Sequence, residues 1–174
     1  MTENSFEIEI GKPEVMEFDY SLSAPELEAF VAEKYSLIKK GKKDLVNREF
    51  SMLYDAFCYL DYCRSVLGIQ LDMTEECLEA LEQSLDKICE KMAAGSMAEE
   101  EFKQLINFAT AYLGVTIIKN IGGAWVPTNA GIAVMVGENT VFVNNRMARR
   151  MLNGKEDEIV GYYWGVKETC MKQK

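Results

Sequence analysis

Arg146, Arg149 and Arg150 stand at the i, i+3, i+4 spacing that puts three guanidinium groups on one face of a helix. Such a triplet can hold an anion, or it can pair with carboxylates of its own chain. Cys58, Cys63, Cys77, Cys89 and Cys170 are the other reactive side chains. None of them forms the Cys-x-x-Cys spacing of a zinc or dithiol site, and an odd count is not a secreted disulfide framework, so free thiols are expected. Cys77 alone lies near a helix start, but acids surround it, which disfavours a thiolate. There is no histidine. That excludes Ser-His-Asp and Cys-His catalysis, imidazole proton shuttling and helical Glu-x-x-His di-metal sites. No metal site and no cofactor is expected.

The charge count sets a second limit. Among 174 residues, 28 are acidic and 19 basic, for a formal net charge of −9. An acidic chain is a poor nucleic-acid binder, because such affinity comes mostly from neutralised phosphates. With so many carboxylates, pairs suited to glycoside chemistry are too common to inform. The charge is uneven along the chain. The first 22 residues carry −5, residues 73–95 carry −4, and residues 144–174 carry +3. Tyr54, Asp55, Tyr59, Asp61, Tyr62 and Arg64 add a polar-aromatic cluster, readable as a ligand site or as a helix boundary whose hydroxyls reach water. Gly122-Gly123 follows a helix and precedes a strand. A phosphate loop has the reverse order, so the pair reads as a helix stop.

These residues need elements to position them. Alternation at Phe6, Ile8 and Ile10, and again at Phe18, Tyr20 and Leu22, predicts one or two strands in the acidic segment 1–22. Ser23-Ala24-Pro25-Glu26 opens a first helix that Gly41 stops. A second helix runs from about Asp44 to Leu67, with Val46, Phe50, Leu53, Phe57 and Leu60 on one face. A third starts near Asp72, where Asp72 and Glu75 have capping-box spacing, and ends at Gly95. Ser96 and Glu99 predict a capping box for the fourth. That helix has the broadest apolar face and should pack against the sheet. Gly114 in its interior costs about 1 kcal/mol relative to alanine, a loss that a closely packed neighbour would offset. Three strands follow, at Ala124–Val126, Ile132–Val136 and Thr140–Val143, as an antiparallel meander. Two helical pieces separated by Asn153-Gly154 close the chain.

Ala111-Tyr112-Leu113-Gly114, Ile117 and Gly122-Gly123-Ala124-Trp125-Val126 form a pattern that resembles a family of uncharacterised bacterial domains. In that family a helix ending in Ala-Tyr-Leu-Gly runs into Gly-Gly-x-Trp, then an antiparallel sheet and a basic helix. The resemblance covers about residues 97–170. It departs from the family at Val115, where an acid is more common. It carries no activity; what it implies is a fold, helices packed on an antiparallel sheet.

The expectation is an α+β fold in a single domain of residues 1–174. Its parts are an acidic strand segment (1–22), a helical part (23–121), an antiparallel sheet (122–143) and basic C-terminal helices (144–174). The N-terminus has neither a basic nor an apolar signal region, and the longest uncharged stretch, Gln104–Ile118, is too short to cross a bilayer. A cytoplasmic, membrane-free location is expected. The residues offered to a ligand or partner are Tyr112, Trp125, Arg146, Arg149 and Arg150. The leading functional expectation is a non-catalytic protein–protein interaction domain that uses its acidic surface on a basic partner, an immunity-like neutraliser being the specific version. The alternatives are a small ligand-binding module or histidine-independent enzyme with a pocket beside the sheet, and a subunit of a homo-oligomer.

Overall fold

The computed structural model describes residues 7–14, 17–45 and 47–172. It is an α+β fold of six α-helices and one three-stranded antiparallel sheet. The helices are α1 (Ala24–Lys39), α2 (Arg48–Tyr62), α3 (Leu78–Ala93), α4 (Glu99–Ile121), α5 (Val143–Asn153) and α6 (Ile159–Met171); the strands are β1 (Ala124–Thr128), β2 (Gly131–Val136) and β3 (Asn139–Val141).

The apolar count of α4 decides the architecture. Every residue from Ala109 to Ile118 is buried, so this helix must be covered on all sides. α2 packs along it, and β2 and α5 close it elsewhere. The sheet is a meander of order β1-β2-β3, with Trp125 opposite Val134 and Val134 opposite Val141. Two-residue turns join the strands, and Gly137 supplies the positive φ (60°) that the second one requires.

Gly114 shows what α4 gains from a missing side chain. A methyl group there would come within 2.0 Å of the Trp125 ring. The indole of β1 therefore sits directly on the helix backbone, and both residues are fully buried. Burial of a large aromatic side chain outweighs the helix-propensity loss.

Several local expectations need correction. The predicted N-terminal strands do not form among the described residues; Phe6 lies outside them. Ile10 makes one isolated antiparallel bridge to Thr128, backed by Gly11 N–H to Pro127 O (2.8 Å) and Glu14 N–H to Trp125 O (2.9 Å). Pro127 offers no N–H, so the ladder along this sheet edge cannot continue. Ile8 and Ile10 stay 43% and 47% exposed. Phe18 and Tyr20 are buried as their alternation implied, but Asp19 between them binds Ser21 N–H and Oγ and bends the chain.

Helix starts differ for related reasons. Ser23 and Glu26 do engage each other, with Ser23 N–H and Oγ donating to Glu26 Oε2 at 2.8 and 2.6 Å. The second helix begins later than Asp44, because Asn47 caps it by accepting Phe50 N–H at 2.7 Å; Val46 lies outside the described residues. It continues through a π-helical turn, Cys63–Leu67, to Gly68. Asp72 does not box with Glu75. It binds Thr74 N–H and Oγ1, while Glu75 is drawn to α6. Ser96 does not cap α4 either. Its N–H and Oγ both donate to Lys91 O at 3.0 Å and so close the end of α3. β3 stops at Val141, and Val143 is instead the buried first residue of α5.

Gly114→Ala is expected to lose about 1–3 kcal/mol in urea denaturation, since the added methyl must displace the Trp125 ring. A gain of about 1 kcal/mol, the pure helix-propensity outcome, would contradict this packing.

Candidate functional site

Two of the five candidate residues are core. Tyr112 is buried on α4, and its hydroxyl accepts Met73 N–H at 2.9 Å. It thereby holds a residue whose backbone has a positive φ of 63°. Trp125 fills the space over Gly114. Neither lines a cavity among those described here.

The arginine triplet is divided. Arg150 turns inward and is 1% exposed. Its Nε donates to Glu82 Oε2 and an Nη to Asp86 Oδ1, each at 2.6 Å. The other Glu82 oxygen accepts Val160 N–H at 3.2 Å and Ile159 N–H, both in the first turn of α6. One carboxylate of α3 thus neutralises a buried cation of α5 and caps the positive end of α6. Burial opposes the Arg150 charge, but the hydrogen bonds to Asp86 and Glu82 prevail and hold its pKa above the ordinary value. Arg146 and Arg149 face the other way and share Asp157 Oδ1 at 2.9 Å each. Asn153 Nδ2 donates to Asp157 Oδ2. That bond, with the two guanidinium groups, holds the Asp157 carboxyl below the usual range.

The rest of the basic tail is also engaged. Lys167 donates to both Glu75 oxygens at 2.6 and 2.8 Å, and Tyr163 adds its hydroxyl at 2.6 Å. Burial works against the Glu75 charge, but these donors prevail and lower its pKa. Lys155 meets Asp86, and Lys172 meets Glu168. Arg150, Lys155 and Lys167 of the tail therefore pair with Glu75, Glu82 and Asp86 of the acidic stretch, while Arg146, Arg149 and Lys172 pair within the tail.

Among the described residues one concave surface of about 320 Å³ is lined by Ala24, Leu60, Arg64, Gln70 and Cys77, and two others lie along the helices. The larger, of about 680 Å³, lies between β3, α5 and α6. Arg146 and Arg149 line it, and the Arg146 guanidinium stacks over Tyr162 at 4.5 Å. Tyr162, Asn139 and Asn145 were missed as site residues. The signal available was Gly161-x-x-x-Gly165, two glycines one turn apart in a helix. The smaller, of about 250 Å³, runs between α1 and α2. Its walls are Val31, Tyr35, Tyr54, Phe57 and Cys58, with the Tyr35 and Tyr54 rings stacked at 5.2 Å. Glu28 and Asp61 stand at its rim, bridged by Arg64. Asp55 is next to Cys58, and burial raises its pKa. Among the described residues no hydrogen bond or ion pair reaches it.

The polar-aromatic cluster of α2 is dispersed in the same way. Tyr54 faces this groove, Tyr59 is core and bonds Ser84 at 2.7 Å, and Tyr62 lies near Glu101 of α4. The five thiols are free, and burial pushes Cys63 up to about 11. None of the four others is lowered, so no activated thiolate is present. Among the described residues no three Cys, Asp or Glu side chains converge as metal ligands.

Arg150→Met strands Glu82 among buried groups and is expected to cost about 3–5 kcal/mol in chemical denaturation. Adding Glu82→Gln should recover part of that loss, because the amide oxygen still caps α6 without a charge. Glu75 sets a pH dependence. Its folded pKa is depressed, so its contribution is present above the unfolded value of about 4.3 and is lost as pH falls through the folded one. Glu75→Gln should lower the urea midpoint at neutral pH and flatten its fall on acidification.

Comparison with known proteins finds no matching family model, no matching curated protein and no matching solved structure.

Proposed function

We propose that this chain is a non-catalytic interaction domain that docks a basic protein partner along the α1–α2 groove. One observation carries this reading. Each described cation of residues 144–172 is paired within the fold, so the tail does not offset the acids at the groove. Glu28 and Asp61 stand at the groove's rim with Arg64 between them, and Asp55 lies beside its wall residue Cys58.

An apolar aromatic floor with a carboxylate rim suits an amphipathic basic segment. The floor supplies the contact area, and the rim supplies steering and selectivity. Half-buried Asp55, beside the groove residue Cys58, adds negative charge that favours an incoming Lys or Arg. An immunity-like neutraliser of a basic toxin is the specific form of this reading.

Capture from native lysate tests the proposal. The wild-type chain should retain a basic protein at low ionic strength and release it at high, as screened charge pairs do. Asp61→Lys with Ala32→Arg, two exposed changes at the groove, should abolish capture while the melting temperature stays unchanged. Capture that ignores salt, or that survives both substitutions, would overturn it.

A further inference from the structure

Three glycines sit inside the long helices, and they are not alike. Gly114 is explained by Trp125, which occupies the place of its side chain. Gly165 on α6 has no atom within 4 Å of a side-chain position, and Gly161 meets only the Glu158 side chain. Each glycine costs helix stability, and at these two positions no packed neighbour offsets the cost. Both lie one turn apart on the face of α6 that lines the 680 Å³ cleft. Rules of local preference are broken most often where a protein keeps a functional site.

The cleft has the size of a small-molecule site, which runs from about 300 to 1,000 Å³. Its chemistry is two-sided. Val141, Phe142 and Val166 give apolar walls, and Tyr162 gives a ring held flat under Arg146. Arg146 and Arg149 share the one charge of Asp157, which accepts from a single nitrogen of each, and the Glu158 carboxylate lies beside Gly161. A guanidinium has five N–H donors in a planar fork, so both retain donors for a second anion. Asn145 lies beside them on α5, and Thr140 lies on β3, the free edge of the sheet.

We propose that the cleft between β3, α5 and α6 binds a small organic anion, its carboxylate or phosphate on Arg146 and Arg149 and its apolar body over Gly161 and Gly165. This site is separate from the α1–α2 groove, so either proposal can fail without the other.

Amide chemical-shift titration of the 174-residue chain with benzoate, phenyl phosphate and benzyl alcohol tests it. Either anion, or both, should shift the amides of Gly161, Gly165 and Thr140 saturably, with a dissociation constant of about 1 mM or tighter; which one binds identifies the headgroup. Benzyl alcohol should bind at least about tenfold more weakly. Arg149→Gln, at an exposed side chain, should weaken the anion by a similar factor. Gly165→Leu should fill the cleft and abolish binding while raising the melting temperature. Equal binding of the alcohol, shifts outside the cleft only, no saturable shift, or full binding by Gly165→Leu would overturn the proposal.

Discussion

A guanidinium that is 1% exposed cannot be left alone, and Arg150 is that group. Removing it from water is tolerable only if carboxylates meet it with good geometry. Glu82 and Asp86 do so from one face of α3. Because Glu82 also accepts from the first N–H groups of α6, the requirement at one buried charge fixes three helices relative to one another. Glu75, with Lys167 and Tyr163, adds a second tie between the start of α3 and α6. The C-terminal third of the fold is thus an electrostatic closure laid on an apolar core.

That closure changes what the surface presents. In the linear chain the acidic and basic stretches look like two poles available to partners. Folded, the tail's described cations are absorbed by Glu75, Glu82, Asp86, Asp157 and Glu168. At the α1–α2 groove the rim acids Glu28 and Asp61 meet Arg64, and Lys39 lies over the Tyr35 ring. The same closure spaces α5 from α6, and with the glycines of α6 it leaves the cleft that Arg146 and Arg149 line.

Much of the architecture was legible from residue pattern alone. The α+β order, the central place of α4 and the meander follow from apolar period and glycine punctuation, which are local signals. The need for a close neighbour at Gly114 was legible as well, because the cost of a helical glycine is known without coordinates. Local cues failed where one side chain had two partners to choose from. Ser96 could cap α4 or close α3, and Glu75 could box with Asp72 or reach Lys167. The N-terminal alternation marked burial at Phe18 and Tyr20 correctly, yet no strand formed among the described residues, because Asp19 bends the chain there and the segment around Ile10 meets Pro127 on the sheet edge.

The candidate residues divide along the same line. Spacing placed Arg146, Arg149 and Arg150 on one side of a helix, but a helix face spans more than one neighbour, so packing sent Arg150 to α3 and the other two to the cleft. Tyr112 and Trp125 read as conspicuous aromatics, and only the contacts of α4 with Met73 and β1 show that they are structural. The sequence by itself determined composition, the missing imidazole, the amphipathic periods and hence the kind of fold, because those depend on residue type and short spacing. The tertiary structure decided which charges cancel, which remain at the surface and where a cavity stays open, because these depend on separate elements meeting in space, as Arg150 meets Glu82 and Lys167 meets Glu75 across 68 and 92 positions.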